Sequence, residues 1–160
     1  MSKETIIEEL KIAYAMELET VQNYIAASAN LDGVLSKVVK EELRKDIQEE
    51  LGHAQKLADR IKILGGTVPG SFDLERSQRF LQPTEDSTDV ISVIKGVIDA
   101  EEAGIEQYGR IIEKCEGVDY VTQDLVIGLL ADEEHHRREF VGFLKEFEAS
   151  ETEAANRRSA

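Results

Sequence analysis

Apolar residues recur along this chain in alternating steps of three and four, the signature of helices that bury one face. Over residues 3–30 the stripe is Leu10, Ala13, Glu17, Val21, Tyr24 and Ser28; over 34–64 it is Leu43, Ile47, Glu50, Ala54, Leu57, Ile61 and Leu64. Over 88–115 it is Ile94, Ile98, Glu101, Ile105, Tyr108, Ile112 and Cys115. Over 119–148 it is Val126, Leu130, Glu133, His136 or Arg137, Phe140, Leu144 and Phe147. This spacing belongs to helices packed nearly parallel in a bundle. Asn30-Leu31-Asp32-Gly33, Gly65-Gly66 and Cys115-Glu116-Gly117 mark the ends of the first three helices, and Asp119 is placed to cap the fourth. The first and last connections are short, so each predicts an antiparallel hairpin. The middle one, about 66–87, holds both prolines, Pro69 and Pro83, and can cross the length of the bundle. Within it, Ser71 to Phe80 reads as a short helix in which Phe72, Leu74 and Phe80 make apolar contacts. The expected fold class is all-α, a bundle of two hairpins joined by one long crossover. Residues 1–150 form its one domain, and the polar segment 151–160 is expected to be a disordered tail.

Four positions on these stripes are wrong for a dry core. Glu17, Glu50, Glu101 and Glu133 stand where the period needs an apolar residue, and carboxylates are rarely buried unless paired or coordinated. They also form a repeat. Glu17 leads to Glu50 and His53, and Glu101 leads to Glu133 and His136; Tyr24 and Tyr108 each follow the leading Glu by seven positions. A Glu-x-x-His motif alone is weak in so acidic a chain. Four buried carboxylates at matched levels of four helices need a partner, and two divalent cations would neutralise them. Residues i and i+3 share a helix face, so each Glu and its His can hold one ion, with Glu50 and Glu133 bridging and Glu17 and Glu101 terminal. Oxygen and imidazole ligands suit iron or manganese, and a site without thiolate is a poor match to structural zinc.

A competing register, Asp132 with His135, lies on a face that continues through Gly128 and Glu139. The face of Glu133 and His136 continues through Leu129, Leu130 and Phe140, which places that pair inside and His135 at the surface. By the same test Glu19, Glu49, Glu102 and Glu134 are expected to be solvated. Tyr24 and Tyr108 either pack as amphipathic core residues with locally satisfied hydroxyls or hydrogen-bond to a ligand carboxylate. Cys115 reads as a small buried hydrophobe.

Composition narrows the function. The chain has 160 residues, 41% of them hydrophobic, enough for one substantial core. A formal net charge of −14 leaves no basic stripe for nucleic acid and favours attraction of metal cations. No stretch is apolar enough for a membrane helix, and the first ten residues carry three Glu and no apolar run, so neither a membrane span nor a signal peptide is expected. A single cysteine excludes an internal disulfide, and a cytoplasmic location is expected.

The set of Glu17 with Tyr24, Glu50-Leu51-Gly52-His53, Glu101 with Tyr108, and Asp132-Glu133-Glu134-His135-His136 resembles the ferritin-like superfamily. It is most similar to the bacterioferritins and the bacterioferritin-related, Dps-like mini-ferritins, over about residues 5–148. The resemblance implies a ferritin-like four-helix bundle and a ferroxidase that oxidises Fe(II) with O2 or H2O2, for iron storage and detoxification. It implies two iron ions per subunit, manganese being the alternative, held by Glu17, Glu50, His53, Glu101, Glu133 and His136. A non-storage di-metal oxidoreductase, such as a rubrerythrin-like peroxidase or a manganese catalase-like enzyme, is the alternative activity. Haem-binding bacterioferritins place Met directly after the first bridging Glu; Leu51 stands there, so haem is not expected. Residues 149–160 lack the apolar content of a fifth helix, so the expected homo-oligomer is a cage of twelve subunits, or a smaller assembly, rather than twenty-four.

Overall fold

Each helix of the bundle begins or ends on chemistry written in the sequence. Residues 2–158 are described by a computed structural model of the chain. Helix α1 (Lys3–Asn30) is capped by Ser2, whose hydroxyl accepts from the Thr5 amide at 3.4 Å. Helix α2 (Lys37–Ile63) follows a single 3₁₀ turn at Val34–Ser36. It ends where Gly65 takes a φ of +93°, which lets the Gly66 amide turn back onto the Ile61 carbonyl at 2.9 Å. Asp89 caps helix α3 (Val90–Cys115) by accepting from the Ser92 amide at 3.0 Å. The expected cap of helix α4 (Tyr120–Arg158) is in place, with Asp119 accepting from the Thr122 amide at 3.1 Å. Arg60 Nη2 also donates to both carboxylate oxygens of Asp119 at 2.9 Å, tying the end of α2 to the start of α4.

The hairpins α1–α2 and α3–α4 carry most of the helix contacts, α1 also packs on α3, and α2 meets α4 more sparingly. Two apolar clusters show how the helices run. One joins the end of α1 (Tyr24, Ala27) to the starts of α2 (Val39, Leu43) and α3 (Val90, Ile94) and to Phe140 of α4. The other joins the start of α1 (Ile6, Leu10) to the ends of α2 (Leu57, Ile61) and α3 (Ile111, Cys115) and to Val126 and Leu129 of α4. So α2 and α3 start at the same end of the bundle, and the chain must travel its full length between them. This is the long crossover of a ferritin-like four-helix bundle, and no strand occurs among the described residues.

The crossover differs from expectation in one respect. Ser71–Phe80 holds only a 3₁₀ turn at Ser71–Asp73, and Phe72 is fully exposed, so it makes no core contact. The segment is anchored by Leu81 and Gln78, both buried, and by Glu19. The Glu19 carboxylate accepts from the amides of Ser77 (2.8 Å) and Gln78 (3.0 Å). Glu19 is therefore buried rather than solvated. A strap without regular structure leaves backbone amides that something must satisfy. The tail also departs from expectation. Residues 151–158 continue α4 and are exposed where described, and residues 159 and 160 lie outside the described part of the chain. Glu, Ala and Arg dominate this stretch, and their helix propensity extends the last turns without an apolar face.

Candidate metal centre

Between the two apolar clusters lies a polar layer. Glu17 from α1, Glu50 and His53 from α2, Glu101 from α3, and Glu133 and His136 from α4 all enter it, and none exceeds 5% exposure. All six residues predicted from the sequence meet here. They form two overlapping groups whose donor atoms lie within 4.8 Å of one another: Glu17, Glu50, His53 and Glu133, and Glu50, Glu101, Glu133 and His136. Glu50 and Glu133 belong to both groups.

The contacts follow the same division. His53 Nδ1 lies 2.9 Å from Glu133 Oε1, 3.3 Å from Glu50 Oε2 and 3.9 Å from Glu17 Oε1. His136 Nδ1 lies 3.2 Å from Glu50 Oε1 and 3.8 Å from Glu101 Oε2. The two rings are nearly parallel, with centroids 6.4 Å apart. Both Glu50 oxygens, Glu101 Oε2, Glu133 Oε1 and the Nδ1 atoms of both histidines have no hydrogen-bond partner. Buried polar atoms are nearly always satisfied, and here six unsatisfied atoms of the hard-oxygen and imidazole class converge. That donor set fits two divalent cations bridged by carboxylates.

Each tyrosine reaches across the repeat. The Tyr24 hydroxyl donates to Glu101 Oε1, and the Tyr108 hydroxyl donates to Glu17 Oε1. Glu101 Oε2 is left facing His136, whereas Glu17 Oε1 both accepts from Tyr108 and faces His53 Nδ1 at 3.9 Å. Burial, together with the nearby Glu101 charge for Tyr24 and Glu17 for Tyr108, raises both phenols well above their ordinary range, so they stay protonated donors.

Without cations the cluster is electrostatically crowded. Burial and the neighbouring Glu50 raise Glu17 well above the usual carboxylate range, and burial with Glu17 does the same to Glu133. Burial also opposes the charge on Glu50, but the adjoining imidazoles of His136 and His53 outweigh it and hold that carboxyl at about 2. Burial opposes the charge on His136 as well, yet Glu101 and Glu50 push it to about 12. These shifts mark a cluster whose carboxylates need compensating positive charge, which protons or divalent cations can supply.

Three residues at the site escape the sequence reading. Asp132 Oδ2 lies 3.2 Å from His53 Nε2, and Glu49 Oε2 lies 2.9 Å from His136 Nε2. With Nδ1 facing the centre, each Nε2–H can donate outward to a carboxylate, which fixes tautomer and ring orientation. Glu49, expected to be solvated, is half-exposed and does this as well. Their signal in sequence was adjacency, since each immediately precedes a Glu of the Glu-x-x-His pair. The third is Asp46, fully buried, with Oδ1 3.9 Å from His136 Nε2 and raised by burial to about 7. His135 stays at the surface beside Glu139.

Gly104 of α3 passes close to the centre. A β-carbon there would lie 3.1 Å from Glu133 Oε2. The space is occupied by a ligand-type carboxylate, so a side chain would press on it.

The family model described as Ferritin-like domain matches residues 7–150. The chain is 27% identical over 141 residues to the DNA protection during starvation protein of Pyrococcus furiosus, covering 86% of this chain and 75% of that protein. It is 28% identical over 137 residues to the bacterioferritin of Desulfovibrio desulfuricans, covering 84% and 71%. Among solved structures, a dodecameric thioferritin from Bacteroides fragilis, a bacterioferritin-related protein, aligns with a TM-score of 0.85 at 25% identity, over 96% of this chain and 92% of that one. A ferritin-like diiron-carboxylate protein from Bacillus anthracis aligns with a TM-score of 0.78 at 26% identity, over 90% and 99%. Helix order, crossover, buried carboxylate layer and these matches agree, and the chain belongs to the ferritin-like family.

Proposed function

We propose that this protein is a di-iron ferroxidase of the bacterioferritin and Dps-like type, which oxidises Fe(II) with O2 or H2O2 for iron storage and detoxification. The observation that carries this reading is the convergence of unsatisfied Glu and His atoms into two overlapping four-residue groups inside an otherwise apolar bundle. Glu17, Glu50, Glu101, Glu133, His53 and His136 are the proposed ligands, with Glu50 and Glu133 shared. Iron is the substrate: each Fe(II) loses one electron, and the two electrons reduce O2 to H2O2, or H2O2 to water, with protons drawn from solvent. The chain's own contribution is to hold two ions together in a layer sealed by apolar clusters on both sides. Tyr24 and Tyr108 orient the terminal carboxylates, and Asp132 and Glu49 orient the histidines. The dodecameric Bacteroides neighbour supports a twelve-subunit homo-oligomer.

The test is aerobic Fe(II) loading, followed by size-exclusion chromatography and metal analysis. The proposal expects a large particle retaining far more than two irons per chain. A small species that stops at about two metals would sink the storage reading and favour a non-storage di-metal oxidoreductase.

A further inference from the structure

The two halves of the chain correspond by a constant shift of 83 positions through α2 and α4: Glu49 to Asp132, Glu50 to Glu133 and His53 to His136. The same shift carries Asp46 to Leu129. Both side chains are buried, Asp46 at 0% and Leu129 at 1% exposure, so they occupy equivalent inward slots. Leu129 belongs to an apolar cluster. Asp46 has no hydrogen-bond partner on either carboxylate oxygen, and its Oδ1 points at His136 Nε2 from 3.9 Å. It joins neither ligand group.

The surroundings of the two histidines therefore differ. His53 Nε2 faces one carboxylate, Asp132, which is half-exposed. His136 Nε2 faces two, the half-exposed Glu49 and the fully buried Asp46. A buried carboxylate without a partner is costly unless positive charge lies nearby. The ring of His136 would gain positive character were its Nδ1 to bind a cation, and Asp46 Oδ1, 3.9 Å from the Nε2 that contacts Glu49, then stands beside that charge. On the His53 side the equivalent slot offers only a leucine.

We propose that Asp46 makes the two half-sites unequal, so that the cation held by Glu50, Glu101, Glu133 and His136 binds first and more tightly than the one held by Glu17, Glu50, Glu133 and His53. This rests on the two-metal reading above. Asp46 is a positioning residue: it acts through His136 and does not touch the ion.

The test is site-resolved occupancy of the full-length protein. Crystals are grown with one and with two equivalents of Mn(II) per chain, and anomalous scattering gives the occupancy at each position. A parallel Co(II) titration followed by absorption gives the affinities. For the wild type at one equivalent, the His136 position should be filled in several-fold excess. Asp46→Asn, nearly isosteric, should weaken that position about 10–100-fold, the usual effect of removing an outer partner of a metal-bound histidine, and change the His53 position far less. Asp46→Leu, which copies the other half, should bring the two occupancies together; should that variant fail to fold, Asp46→Asn carries the test. Equal filling in the wild type overturns the proposal. So does an Asp46→Asn variant in which neither position weakens, as for a carboxylate held neutral, or both weaken alike. Wild-type protein that takes up fewer than two ions at these positions refutes the two-metal reading itself.

Discussion

Glu50 lies between the two histidines, with one oxygen 3.3 Å from His53 Nδ1 and the other 3.2 Å from His136 Nδ1. It is also common to both ligand groups, whereas Glu17 and Glu101 belong to one each. Truncating it should therefore cost both ions, and truncating Glu17 only one. The size follows from linkage. With metal at about 100 times its dissociation constant, each ion stabilises the fold by about 2.7 kcal/mol, so two contribute roughly 5 kcal/mol. Loss of a direct ligand should exceed the 10–100-fold typical of outer partners. At 100-fold weakening the same metal concentration contributes only about 0.4 kcal/mol per ion. A chain of this size shifts its Tm by about 2–4 °C per kcal/mol. The metal-induced rise in Tm should thus fall from roughly 10–20 °C in the wild type to about 2–3 °C in Glu50→Ala, with Glu17→Ala near half the wild-type rise. Differential scanning calorimetry with and without Mn(II), beside metal analysis after desalting, measures both. A Glu50→Ala protein that keeps one ion per chain at wild-type affinity refutes the bridging assignment.

The metal-free protein should lose stability as pH rises from 5 to 8. Glu17 and Glu133, raised well above 4.5, and Asp46, raised from 3.8 to about 7, bind more protons folded than unfolded, so their contribution is present at low pH and lost on the way up. His136, raised from 6.5 to about 12, adds a loss that begins above 6.5, while Glu50, at about 2, is constant across this window. Asp46 alone implies a fall of about 3 kcal/mol. Metal-loaded protein should show the reverse trend, because cations displace those protons; urea titrations at three pH values, with and without Mn(II), would reveal a flat metal-free profile if the acids were not strained. Gly104→Ala separates stability from binding. Alanine gains about 1 kcal/mol in a helix interior, but its β-carbon would lie 3.1 Å from Glu133 Oε2. The metal-free Tm should rise by about 2–4 °C while Mn(II) affinity falls by about tenfold. Unchanged affinity would mean that Glu133 has room to move.

The helices, the crossover and the six inward Glu and His residues were legible because each rests on a local rule: period, capping, or a carboxylate in an apolar slot. What was hidden required knowing which element covers which. Glu19 looks like a surface residue until the crossover lies over α1 and needs an acceptor for the amides of Ser77 and Gln78. One stripe position in each of two helices differs from the pattern, while most of each stripe is buried. The pattern favours Ile47 and Leu130, three residues before Glu50 and Glu133, because both are apolar. In the structure the position four residues before is the inward one, Asp46 in α2 and Leu129 in α4, while Ile47 and Leu130 pack at the margins. The same one-slot difference in both halves means that the repeat extends beyond the ligands to the slot four residues before each bridging Glu. Hydrophobic pattern cannot choose the slot in α4, where Leu129 and Leu130 are both apolar and either choice leaves the core dry. In α2 it could only mislead, because the inward residue is charged. Aligning the halves on their Glu-x-x-His motifs exposes the difference: one slot, two equivalent helices, a leucine in one and a carboxylate facing His136 in the other. A buried acid that the pattern rule passes over is where a metal centre built by repetition ceases to be symmetric.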